Sequence, residues 1–277
     1  MASAVLPVFL ADPQVVQFVQ AMLGYLALLV VTHAMGWDAK VLSWSRDPKV
    51  RKNAYAMTRD GIKNRAYLCS MVGSTINAFV MVGGAIYLWR HNTNWRQQTP
   101  EELVFGEDPA TLFLCSSLGG YFASDLLLEL RYRISDRAML VHHIVFLSAC
   151  VINLYYKVYR FQFIWLAFGE ASTPFVNLRW VLHTLGWKDT KLYLWNGVAM
   201  TFVFILTRIF LYGLGMLHWM SVMPVVSHMP CHVRIFIPLT GLCGYVLNII
   251  WSAKILKGLY KVVTTSSNNK NNKKKIR

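Results

Sequence analysis

The sequence predicts an all-α polytopic membrane protein with about seven transmembrane helices, on three observations. Hydrophobic residues make up 55% of the 277, and charged residues only 15%, where a typical soluble domain carries about 25%. Apolar stretches approach the ~20 residues needed to cross a hydrocarbon core. Lys and Arg are distributed unevenly between alternate loops. So little charge cannot cover a soluble surface, which excludes a soluble enzyme, a secreted disulfide scaffold and a disordered chain. The net charge of +15 is accordingly read as membrane topology, with no nucleic-acid partner.

In order, the expected spans are 14–35, 66–89, 110–129, 139–156, 161–183, 193–215 and 235–253. The first two are nearly charge-free, whereas the others carry ionisable residues. The first is expected to be retained as a helix rather than cleaved as a signal peptide. The first Lys or Arg is Lys40, after the apolar run, so the basic region of a signal peptide is missing. Segment 36–65 carries eight Lys or Arg, and the stretch from Lys254 to Arg277 another eight. Alternate loops total 21 basic residues on one side and five on the other, leaving Arg179 and Arg208 inside spans. The rich side is expected to be cytosolic, which puts the N-terminus in the lumen and the C-terminus in the cytosol.

The five cysteines include no CxxC pair and are read as helix-packing residues. The tail from Thr264 is rich in Thr, Ser, Asn and Lys and cannot pack a core. Its Lys274-Lys275-Ile276-Arg277 resembles a dilysine retrieval signal read by coat machinery, and as a basic segment it also favours anionic lipid.

Polar residues inside spans are costly to insert and mark candidate sites. Asp125 and Glu129 lie four apart on one face of the third span. His142-His143 open the fourth span, Glu170 and Asn177 share a face of the fifth, and Arg179 is expected to point away from that face. The sixth carries Asn196 and Arg208, and the seventh Asn248. Counted at 1.5 Å per residue from their span ends, Glu170 and Arg208 reach similar depth. They are the natural ion pair of a polar cavity lined by spans three to six. Pro174 is expected to kink the fifth span and free the Glu170 carbonyl. His142 or His143 is a candidate general base, nucleophile or metal ligand, with Asp125 to orient it. Neither HxxxH nor HxxE accompanies the pair, so no metal site is expected. His218, His228 and His232 are read as incidental loop histidines.

Taken together, Gly120-Tyr121-Phe122-Ala123-Ser124-Asp125, His142-His143, the run Glu170-Ala171-Ser172-Thr173-Pro174-Phe175-Val176-Asn177-Leu178-Arg179-Trp180, and Thr207-Arg208 resemble a TLC domain. This is the domain shared by TRAM, Lag and CLN eight proteins. The resemblance covers residues 60–260. It leaves 1–59 as an N-terminal transmembrane helix with a basic cytosolic loop, and 261–277 as a basic disordered cytosolic tail. It implies a TLC-type helical barrel around a lipid-accessible cavity, an endoplasmic reticulum location, and a role in lipid homeostasis with membrane lipids as partners. Candidate catalytic residues are His142, His143, Asp125 and Glu170, and candidate substrate-binding residues are Asn177, Arg208 and Asn196.

The same superfamily contains the ceramide synthases. Aligned from His142, their following His-Asp and later Asp fall on Gly169, Glu170 and Thr173, while Arg160 matches their arginine. One acid is kept as Glu170 and the second is missing. Three functions stay open: a protein that binds or handles acyl-chain or sphingoid lipids, an acyltransferase using the His pair, and a trafficking adaptor of the early secretory pathway. No cofactor is expected; acyl-CoA would be a substrate of the second reading.

Overall fold

The computed structural model describes residues 12–91, 95, 97–106 and 108–275, less the side chains of 232 and 261–275. The described residues form helices and their connections, with no strand among them. Starts are written locally. Asp12, Asp47, Thr99 and Asp108 each precede a proline and accept a backbone N–H of the following turn. A capping oxygen followed by a residue with preset φ is the chemistry of a helix N-terminus. These caps open α1 (Pro13–Ala34), α3 (Pro48–Asn53), α5 (Pro100–Phe105) and α6 (Pro109–Tyr132). Between the first two lies the short α2 (Trp37–Ser43), after Gly36 at φ 64°, a left-handed conformation that favours glycine. Asp136 caps α7 (Arg137–Tyr156), and Thr190 caps α10 (Lys191–Phe204).

Helix α4 (Arg59–His91) is 33 residues long, well beyond the 66–89 expected. The fifth expected span is broken into α8 (Gln162–Phe168), a 3₁₀ turn (Gly169–Ser172) and α9 (Thr173–Thr184). The sixth continues from α10 through a π-helical stretch (Ile205–Leu211) into α11 (Tyr212–Val222) and a 3₁₀ turn (Met223–Val226). The last helix, α12, runs from Cys231 to Lys275.

Six helical stretches among the described residues are long and apolar enough to cross a membrane, so a count of seven is not confirmed. The broken fifth segment is the difference, because neither α8 nor α9 is long enough alone. Pro174 lacks the N–H that would reach Glu170 in an α-helix. The Glu170 carbonyl instead accepts the N–H of Thr173, so it is not free for the cavity as expected.

Helix α6 is the hub, packed by α1, α4 and α7. Lipid is as apolar as leucine, so helices associate through close packing and hydrogen bonds across helices. Gly120 shows the close packing: a Cβ there would lie 2.6 Å from the backbone nitrogen of Met22 in α1. Nearby, Tyr25 donates to Asn77 Oδ1 at 3.2 Å and shares a hydrogen bond with Ser117 at 3.2 Å, tying α1, α4 and α6 together. Such bonds contribute about 0.6 kcal/mol each in membranes. The outward faces carry large apolar side chains, Phe79, Phe202 and Leu217 among them. The retrieval-type Lys274 and Lys275 lie outside the residues whose side chains are described, as does His232.

Candidate functional site

A cavity of about 440 Å³ opens between α4, α6, α7, the 3₁₀ turn with α9, α10 with its π stretch, and α12. Its wall is mixed. Met71, Val176, Met200, Phe204 and Trp251 supply apolar surface, while Asp125, Glu129, His142, His143, Glu170, Asn177 and Arg208 supply the polar groups. Six of the seven candidates from sequence therefore meet in one chamber. Asn196 does not. Its Nδ2 donates to the Phe175 carbonyl at 2.9 Å, so it ties α10 to α9 and is absent from the wall.

The expected ion pair is present. Arg208 Nη2 lies 3.2 Å from Glu170 Oε1, with each side chain 12% exposed. Arg208 Nε also donates to Ser172 Oγ at 3.0 Å, and Thr173 Oγ1 donates to Glu170 Oε2 at 2.8 Å. Neither partner stands on regular α-helix. Glu170 belongs to the 3₁₀ turn and Arg208 to the π stretch. Such departures from the α-helix recur at functional sites, because the changed winding re-aims a side chain.

Arg179 is also placed differently from the expectation. It lines the cavity instead of pointing away, because the cavity reaches both sides of α9: Asn177 meets it on the α4 side and Arg179 on the α10 side. Its guanidinium carbon sits 4.2 Å from the centroid of the Tyr193 ring, beside Gly197. A Cβ at Gly197 would lie 2.5 Å from Arg179 Nη1.

The histidines divide their roles. Asp136 starts α7 early, so both lie in its second turn, not the first. His143 Nδ1 stands 3.1 Å from Glu129 Oε2 and 3.4 Å from Asp125 Oδ2. Asp125 in turn accepts the hydroxyl of Ser70 from α4 through Oδ1. His142 packs among Phe146, Trp251 and Phe122, with ring centroids 4.6, 5.4 and 5.9 Å away. Asn177 Nδ2 points to α4, 2.7 Å from Ser74 Oγ and 2.8 Å from Thr75 Oγ1. It clamps α9 to that helix while lining the cavity.

Sequence reasoning passed over Ser70 and left Glu129 out of the site. Glu129 carried a usable signal, its four-residue spacing from Asp125. Ser70 carried none, being one small polar residue in an apolar span. Arg160, matched to the ceramide-synthase arginine, is buried against a different cavity with Tyr87, Gln98 and Glu102. His218 packs on Phe161, Trp165 and Trp95 at ring distances of 5.3 to 6.4 Å.

These features define a polytopic helical membrane protein with an internal chamber of mixed polar and apolar wall. The sequence profile of the TLC domain matches residues 68–257, and the chain belongs to that family. Human TLC domain-containing protein 4 is 32% identical over 204 residues, covering 70% of this chain and 74% of that protein. The zebrafish (Danio rerio) TLC domain-containing protein 4-B is 29% identical over the same shares. A Dictyostelium discoideum protein, TLC domain-containing protein 4 A, is 26% identical over 54% of this chain and 58% of its own length. Family membership points to a membrane lipid-related function.

Proposed function

We propose that this is an endoplasmic reticulum membrane protein of lipid homeostasis, which binds an acyl-chain or sphingoid lipid in the chamber and thereby influences membrane lipid composition. The observation that carries the reading is the chamber itself. Its 440 Å³ falls within the roughly 300–1,000 Å³ of small-molecule sites. An apolar wall of Met71, Val176, Met200 and Phe204 suits a hydrocarbon chain, and the buried charges suit a headgroup. The basic asymmetry of the loops supports a lumenal N-terminus and a cytosolic C-terminus. On this reading the dilysine-like tail engages coat machinery.

A second reading, acyl transfer, is favoured by one observation: His143 stands between two carboxylates inside the chamber. A histidine held in this way is equipped to take a proton from an attacking group. Untargeted lipidomics on cells lacking the protein separates the two. Wild type should restore the lipid profile. A His142→Ala/His143→Ala double variant that restores it fully refutes acyl transfer and leaves binding. A wild-type chain that changes no lipid class refutes the lipid assignment altogether.

A further inference from the structure

Asp125 and Glu129, one turn apart on α6, and His143 on α7 each turn one ligand-type atom toward the same point. Asp125 Oδ2, Glu129 Oε2 and His143 Nδ1 all lie within 4.8 Å of one another. Their side chains are 7%, 3% and 6% exposed. Glu129 Oε2 and His143 Nδ1 have no hydrogen-bond partner among the described residues. Their 3.1 Å approach is an ion-pair contact when the ring is protonated. Two ionised carboxylates and one imidazole would leave net negative charge even with the ring protonated, which a bound divalent cation would offset as protonation of a carboxyl otherwise would. Arg208, one of the cations lining the chamber, is committed to Glu170 and Ser172.

The spacing is that of a coordination shell. Zinc binds imidazole nitrogen and carboxylate oxygen at about 2.0–2.2 Å, which sets tetrahedral ligands about 3.3 Å apart. The observed separations from His143 Nδ1 are 3.1 and 3.4 Å. Ser70 holds Asp125 Oδ1 and so aims Oδ2 at the cluster, as outer hydrogen bonds orient metal-binding carboxylates. An imidazole ligand disfavours Mg²⁺ and Ca²⁺, which take oxygen sets.

We infer that Asp125, Glu129 and His143 bind a divalent transition metal of the zinc class, with the fourth position open to the chamber. Sequence spacing missed this because the ligands come from two helices, whereas HxxxH and HxxE test only one. The site stands on its own geometry and does not depend on which lipid, if any, enters the chamber.

The test uses the full chain without a polyhistidine tag, purified in detergent and stripped with chelator. Titration with Co²⁺ alone, read by visible d–d absorption, reports both stoichiometry and geometry. Wild type and His142→Gln should each take up about one Co²⁺ with the intense band of a tetrahedral site. Glu129→Gln and His143→Gln should lose it, and Ser70→Ala should bind about 10–100-fold more weakly. Elemental analysis of unstripped protein should agree. Wild type taking up less than about a tenth of an equivalent would overturn the assignment, as would cluster variants that bind Co²⁺ like wild type. If the variants fail to fold, the wild-type titration alone decides.

Discussion

Two halves of the same helix bundle are built to opposite ends. In one, Met81, Ala85 and Leu88 of α4 meet Leu114 and Leu118 of α6, Cys150 and Leu154 of α7, and Phe163 and Ile164 of α8, all buried. Trp89 and Trp95 stack there on Phe161, with centroids 6.4 and 5.3 Å away. In the other half the same helices carry Ser70 and Ser74, Asp125 and Glu129, and His142 and His143, and enclose the chamber instead. The change falls where regular winding stops, at the 3₁₀ turn Gly169–Ser172 and the π stretch Ile205–Leu211. The more closely filled half, whose internal cavity among Leu118, Cys150 and Phe163 is only about 80 Å³, holds the bundle in register, while a hollow half keeps buried charge that packing alone would never select.

That contrast predicts which substitutions unfold the protein and which only disarm it. Phe161→Ala, in the filled half, should cost about 3–5 kcal/mol, the usual loss for a large buried aromatic. Detergent-solubilised melting and folded yield should show it as the largest single drop, without any lipid-specific component.

The Glu170–Arg208 pair stands at the junction. Glu170→Gln or Arg208→Gln leaves one buried charge uncompensated, at a cost of about 3 kcal/mol or less, since both side chains are partly exposed. The double substitution should recover part of that loss, with a coupling energy above about 1 kcal/mol by double-mutant cycle. Additive losses would mean the pair contributes nothing jointly. Stability regained without the lipid phenotype would show that the pair serves the chamber.

His142→Ala/His143→Ala, in the hollow half, should cost about 1–3 kcal/mol, because it removes a ring packed on Phe146 and Trp251 and the partner of two buried carboxylates. On the acyl-transfer reading the lipid profile should shift as well, whereas on the binding reading the variant restores it. Smallest in stability is Lys274→Ser/Lys275→Ser, which should leave melting unchanged and, on the proposed endoplasmic reticulum location, shift a fraction of the protein to later compartments by microscopy. Unchanged location would leave those lysines a lipid-surface role only.

How far the two halves could be read from sequence follows from the physics of each. The starts of the first and third spans were legible to within a residue, where Asp12-Pro13 and Asp108-Pro109 write them locally, whereas the second span begins at Arg59 with no such cap and was expected at 66. The Glu170–Arg208 contact was legible because two charges at one depth in hydrocarbon have few alternatives to meeting. Pro174 announced the break in the fifth span but not its length, and Arg179 reaches the wall because the cavity extends past α9 to α10, which the spacing within one helix does not reveal. Nothing in Ile205–Leu211 announces a π stretch: it contains neither Gly nor Pro, and its winding answers to tertiary packing. Asn196 was misassigned because an intramembrane amide serves equally as a helix tie or a ligand contact, and sequence does not say which way it faces. The Asp125–Glu129–His143 cluster lay across two helices, out of reach of any one-helix pattern.

The central claim is that the hollow half receives a lipid. A photoactivatable, clickable sphingoid or fatty-acid lipid, crosslinked in native membranes and mapped by peptide mass spectrometry, tests it directly. The account predicts adducts on chamber residues such as Met71, Met200 and Thr201, suppressed by excess unlabelled lipid. Adducts confined to outward side chains such as Phe79, Phe202 and Leu217, unaffected by competitor, would contradict it.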